Sequence, residues 1–93
     1  MTKVFKLITG EDAVASVESE TPESYSFKYA HRIAFTPDGI GIMPLCPVMK
    51  DDQIITINKS HIVFMGDPET KFENEFNSKF GAGIVKPILK IVT

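Results

Sequence analysis

Eleven consecutive residues, Tyr25 to Phe35, alternate large and apolar with small, polar or basic. A repeat of two is the signature of a strand, because successive side chains leave a pleated backbone on opposite sides. Tyr25, Phe27, Tyr29, His31, Ile33 and Phe35 are assigned to one face, and Ser26, Lys28, Ala30, Arg32 and Ala34 to the other. At ~3.4 Å per residue, a strand of this length must bend strongly to stay within a small sheet. Thr36-Pro37-Asp38-Gly39 follows it. Pro suits the second position of a turn and Gly accepts positive φ, so the chain is expected to return antiparallel.

The rest of the chain fits around that strand. Val4 to Thr9 and Ala13 to Glu18 read as two strands joined by the turn Gly10-Glu11-Asp12, the second with one buried face. Glu20 to Ser24 is a polar turn in which Pro22 lacks a ladder donor. Gly39 to Lys50 is apolar on both faces and carries Pro44 and Pro47, which places it at an edge or makes it irregular. Such an edge aggregates unless something covers it, and a second copy is the expected cover. Between Gln53 and Met65, the short runs Ile54 to Ile57 and Ile62 to Phe64 flank a sharp polar corner at Asn58, Lys59 and Ser60. The period then changes to that of a helix over about 68–80. Asp67 is the expected cap, Pro68 the first helical residue, and Phe72, Phe76 and Phe80 form one stripe. Gly81 ends the helix, and the tail 81–93 is apolar with Lys86 and Lys90 interspersed, suited to a last strand or a docked arm.

A chain of 93 residues, 43% hydrophobic, is expected to form a single domain over 1–93, with its strands within about 3–65. The net charge of -2 provides no general attraction for polyanions, so a nucleic-acid site has to come from local basic groups. The acids Glu11, Asp12, Glu18, Glu20 and Glu23 crowd the N-terminal third, whereas Lys79, Lys86 and Lys90 lie in an acid-free C-terminal stretch. The longest apolar run, Gly39 to Met49, is too short and too proline-broken to span a membrane. With one cysteine and no secretory signal pattern, a cytosolic protein is expected.

Catalytic chemistry finds little support. His31, His61 and Cys46 lack the close pairing of zinc ligands, so no metal and no cofactor is expected. Cys46 stands between prolines in an apolar run and reads as a buried, inert thiol. His31 reads as a hydrogen-bonded core residue, and Asp51 and Asp52 point to opposite faces. With no base, nucleophile or metal set to assemble, the chain is not expected to be an enzyme. Lys28 and Arg32, read as sharing one strand face, are candidate phosphate contacts.

The corner Ile57-Asn58-Lys59-Ser60-His61-Ile62-Val63-Phe64 resembles the second signature of the Sm-like (LSm) family, with Asn58 and Lys59 where the family has a basic residue and Gly. Gly10-Glu11-Asp12-Ala13-Val14-Ala15-Ser16-Val17 is similar to the first signature, with Ala15 in place of a Gly where the sheet bends. Lys6 to Asp12, Gly41 to Pro47 and Phe80 to Pro87 extend the likeness over nearly the whole chain, toward the Sm-like proteins of marine cyanobacterial phages. The resemblance implies a mainly β fold, a strongly bent five-stranded antiparallel sheet or small barrel. Here the helix is C-terminal, whereas in the family it precedes the sheet. It also implies a homo-oligomeric ring of five to seven subunits in the cytoplasm of an infected bacterial host, with the fourth strand of one subunit paired to the fifth of the next. Ile54, Ile55, Ile57, Ile62, Val63 and Phe64 would then lie at the interface, and Asn58, Lys59 and Ser60 of the second signature would contact single-stranded RNA or DNA; Tyr25 is added as a stacking candidate, and Lys28 and Arg32 as the phosphate candidates read from their strand face. At the loop positions where the family places an Asp, an aromatic or His, and an Asn, this chain carries Thr21, Glu23 and Tyr25. A structural or adaptor oligomer that contacts another protein is the alternative expectation.

Overall fold

The computed structural model describes residues 1–50 and 52–80. Six strands precede one helix: β1 (Thr2–Leu7), β2 (Asp12–Glu20), β3 (Ser24–Thr36), β4 (Gly39–Pro44), β5 (Ile55–Asn58), β6 (Ile62–Gly66) and α1 (Thr70–Phe80). All pairings are antiparallel, in the order β4-β3-β2-β1-β6, with β5 also on β3. The fold is mainly β, a small bent antiparallel sheet with a C-terminal helix. The expected last strand or arm beyond Gly81 lies outside the described residues.

One edge of the sheet accounts for the difference between five strands and six. β4 pairs with His31–Thr36 and β5 with Ser24–Phe27, so both lie along the same side of β3. The apolar run expected to be a strand as far as Lys50 leaves the ladder after Leu45, whose N–H still reaches the Ala30 carbonyl at 3.1 Å. Two prolines in four residues remove the donors that would have continued it. Beyond this point Val48 is 94% exposed and Cys46 is also exposed, so the expectation of a buried thiol is overturned.

The sheet curls around its own interior. Phe5, Ala13, Ala15 and Phe27 are buried together, and residues from opposite ends of the strand order, Ile55 and Ile57 of β5 and Ile62 and Met65 of β6, pack on the same cluster. Phe5 and Phe27 stack with ring centroids 4.6 Å apart. The other face carries Val14 and Ile42, covered by Phe76 of α1. β2 is therefore buried on both faces rather than the expected one: Ala13, Val14 and Ala15 are all 0% exposed. A short run of small and β-branched residues suits a strand enclosed by a barrel interior on one side and a helix on the other.

The alternation in β3 does not hold to a single face. Val14 pairs with His31 but Ser16 with Lys28, so Ala15 opposes both Tyr29 and Ala30, and Tyr29 takes φ 60°. This is a β-bulge, which adds one residue to the strand and reverses the facing of everything beyond it. Tyr25 and Phe27 consequently line the interior, whereas Tyr29 and Ile33 pack under the helix. Phe35 is 71% exposed. The position that the resemblance associates with a bend, Ala15, is the residue opposite the bulge.

The helix docks through the expected stripe. Phe76 is 2% exposed, and Phe72 and Phe80 flank it against the sheet. Phe80 lies over His31 at 4.4 Å and over Tyr29 at 5.4 Å, while Thr2 donates a hydrogen bond to Asn77 Oδ1 at 2.8 Å. His31 is buried, with Nδ1 2.8 Å from the Tyr29 carbonyl, as a core histidine requires. The helix starts later than Pro68. The Glu69 carbonyl accepts from Glu73 N–H at 2.8 Å, and Asp67, instead of capping, binds Lys3 Nζ at 2.5 Å. No helix among the described residues is long and apolar enough to cross a membrane.

Candidate nucleic-acid interface

The corner between β5 and β6 is one turn of 3-10 helix, Lys59–His61. Asn58 shapes it: its side-chain Oδ1 accepts from Ser60 N–H at 2.9 Å, which satisfies a donor that a short helix start leaves free. The corner is held to the β2–β3 turn by the Lys59 N–H, which donates to the Glu23 carbonyl at 2.8 Å. In that turn Thr21 Oγ1 accepts from the N–H groups of Glu23 and Ser24, so the segment Thr21–Ser24 is a compact, self-bonded loop.

Register then sets the side chains. Glu20 pairs with Tyr25, and Tyr25 with Ile57, which places an acid, a ring and the approach to Lys59 side by side. Lys59 Nζ lies 2.5 Å from Glu20 Oε2 and 4.9 Å above the centre of the Tyr25 ring. The Glu20 carboxylate raises the Lys59 pKa above the ordinary lysine value. The ammonium is thus always protonated at neutral pH, but its field is partly cancelled at short range. Tyr25 is itself half-buried and rests on Phe27 at 5.7 Å.

Four of the six expected contact residues, Tyr25, Asn58, Lys59 and Ser60, come together at this corner. Lys28 and Arg32 do not join them, nor do they share a face as expected. Lys28 pairs with Ser16 and Arg32 with Ala13 on opposite sides of the Tyr29 bulge, and the extra residue turns them to opposite faces. The Lys28 ammonium lies over the Tyr29 ring at 5.2 Å. Arg32 is roughly 20 Å along β3 from Tyr25 at the usual strand rise, where its Nη2 meets Met43 Sδ at 2.7 Å. The pKa of Glu11 is lowered chiefly by the hydrogen bond from the Thr9 hydroxyl, then by a backbone hydrogen bond, with the Arg32 charge the smallest contribution.

The sequence-based reading missed Glu20 as a partner of Lys59. Its signal was faint, because the pairing depends on a second irregularity at Glu18, between the Val17–Phe27 and Ser19–Ser26 pairs. Among the expected interface residues, Ile55, Ile57 and Ile62 pack on the subunit's own interior, whereas Ile54, Val63 and Phe64 are between 50% and 61% exposed. No group of three metal-ligating side chains is found among the described residues.

No protein-family model and no curated protein matches this sequence. What the corner can do must follow from its chemistry. It presents a cation fixed over a half-buried ring beside two strand edges, with its named backbone amides bonded within the corner and the adjoining turn, and such a surface suits phosphate contact through the lysine.

Proposed function

We propose that the chain is a non-catalytic, ring-forming Sm-like protein that binds single-stranded nucleic acid, RNA in preference to DNA, in the cytoplasm of an infected bacterial host. The observation that carries this reading is the Lys59 ammonium held over the Tyr25 ring at a corner between two sheet edges. One end of the strand order is β6 and the other is the β4/β5 side of β3, and neither has a further partner among the described residues. Exposed Val63 and Phe64 belong to the first edge, Ile40 to the second, with Ile54 just before β5. Pairing unlike edges head to tail closes a ring when the rotation per subunit divides the circle. Such a ring repeats the Tyr25–Lys59 corner once per subunit. A flexible strand touching several corners gains avidity that no single one supplies.

The test is fluorescence anisotropy with short labelled U-rich, A-rich and mixed RNAs and their DNA counterparts, at two salt concentrations. Salt-sensitive binding that Lys59→Glu abolishes supports the reading, since each phosphate contact adds to the salt slope. Absence of binding at low salt overturns it.

A second reading, a structural or adaptor oligomer that contacts another protein, draws on the Glu20–Lys59 ion pair and on the exposed Phe35, Ile40 and Phe64. The ion pair spends the lysine's charge internally, and the apolar side chains suit protein contact. Recovery of one stoichiometric protein partner, free of nucleic acid, supports this alternative.

A further inference from the structure

The connection after β4 presents a convex apolar tip. The Cys46 carbonyl accepts from the Met49 N–H at 2.9 Å, which closes a turn around Pro47 and Val48. Proline presets the second position of such a turn, so the tip is fixed before any partner arrives. Val48 beside it is 94% exposed, and Met49 is 40% exposed. Asp, Asn or Ser at a turn bonds the backbone and faces water, whereas valine has no such chemistry, and its place here has no local explanation. Lys50 follows, exposed and with no acid within ion-pair reach among the described residues. A groove of about 320 Å³ lies elsewhere on the fold, between the start of α1, the β3–β4 hairpin and β6. Phe35, Ile40 and Phe64, at 71%, 50% and 61% exposure, wall it. Its charged lining residues are all acidic: Asp12, Asp67 and Glu69. Lys6 and Lys3 pair with the two aspartates, at 2.9 and 2.5 Å, whereas Glu69 has no cation within ion-pair reach among the described residues.

We infer that the tip Val48, Met49 and Lys50 of one copy seats in this groove of a second copy, with the two apolar side chains against Phe35, Ile40 and Phe64 and the ammonium at Glu69. The two surfaces are complementary in shape, polarity and charge. One is a fixed convex apolar turn followed by an unpaired cation, the other a concave apolar surface rimmed by acid with one carboxylate unpaired. Apolar groups that meet leave water together, and the opposite charges fix which way round the tip enters. Tip and groove share no residue, so a copy that offers its tip to one neighbour still has its groove open to another. Contacts of that kind run head to tail, and they close into a ring when the rotation per subunit divides the circle. The contact is made by side chains of a turn and a groove and does not use the strand edges on which the proposed ring pairing rests.

The experiment is cross-linking between two co-expressed full-length variants by a short bismaleimide. Cys46 is exposed and is first replaced in both, Cys46→Ser. One variant then carries Val48→Cys at the tip and the other Ile40→Cys at the groove wall. The pair should cross-link at least about tenfold faster than either variant alone, because thiols held in a complex meet at an effective concentration in the millimolar range. Lys50→Glu in the tip variant, or Glu69→Lys in the groove variant, should slow the reaction by roughly two- to fivefold, and the two reversals together should restore it. Phe35→Asp in the groove variant should reduce it to the rate of the single variants. Unchanged circular dichroism checks that each variant folds. The inference is overturned if the pair cross-links no faster than the single variants, or if the double charge reversal is as slow as either single one. A multiple mass in light scattering without this cross-link also overturns it, and leaves the strand edges as the contact between copies.

Discussion

The Tyr29 ring stacks on Phe80 with centroids 5.4 Å apart while its backbone sits at φ 60°. A left-handed conformation costs a non-glycine residue on the order of 1–3 kcal/mol. An aromatic pair returns about 0.5–1.5 kcal/mol beyond the area it buries. The helix contact and the bulge therefore hold each other in place, and the bulge is what turns the second half of β3 toward the helix.

The order of stability among Tyr29 variants should invert the ordinary strand preference. Tyr29→Gly loses the ring but relieves the backbone, for a net loss of about 1 kcal/mol, whereas Tyr29→Val loses the ring and keeps the strain, for about 3 kcal/mol. Urea unfolding of the two variants checks this. A valine variant more stable than the glycine variant would refute the role given to the bulge.

The phenylalanines should divide sharply. Phe76→Ala empties a site that is 2% exposed and is expected to cost about 3–5 kcal/mol. Phe35→Ala removes a ring that is 71% exposed and should change the unfolding free energy by less than about 0.5 kcal/mol. Denaturant midpoints at constant m-value provide the comparison.

Glu20→Gln should release Lys59 without disturbing the strands. If the corner binds phosphate, the affinity for single-stranded RNA rises, because the ammonium no longer has an internal carboxylate partner. The same substitution has a pH signature. A lysine whose folded pKa is raised contributes stability that is complete below its ordinary value of 10.5 and is lost as pH rises through the higher folded value. The melting-temperature difference between wild type and Glu20→Gln should thus persist across neutral pH and close above that range. A difference that stays constant through strongly alkaline pH would rule out the ion pair as its cause.

Edge pairing makes a prediction about mass. Val63 sits at the irregular point where Lys6 opposes Phe64 and Leu7 opposes Ile62, and it is 59% exposed. A paired Val63→Asp, Phe64→Asp variant should keep its circular dichroism but run as a single subunit in light scattering, where the wild type runs as a multiple. Equal masses for the two would remove the ring from consideration.

The sequence carried the local structure well. Period-two alternation marked β2 and β3, turn residues marked Gly10 and Gly39, both of which take positive φ, and the four-residue spacing of Phe72, Phe76 and Phe80 marked the face by which α1 docks. Asn58 was legible as a turn former because its side chain bonds a neighbour two residues away. All of these depend on contacts within a few residues, which chemistry and spacing in one stretch determine. What the tertiary structure decided was facing and partnership. Whether Lys28 and Arg32 share a side depends on one bulge at Tyr29, and that bulge is held by a ring from a helix that begins forty-one residues later. Whether Lys59 is available or neutralised depends on Glu20, thirty-nine residues away, brought near by strand register. In a sheet a shift of one residue exchanges the two faces, so an error too small to see in a pattern of alternation reassigns every side chain beyond it.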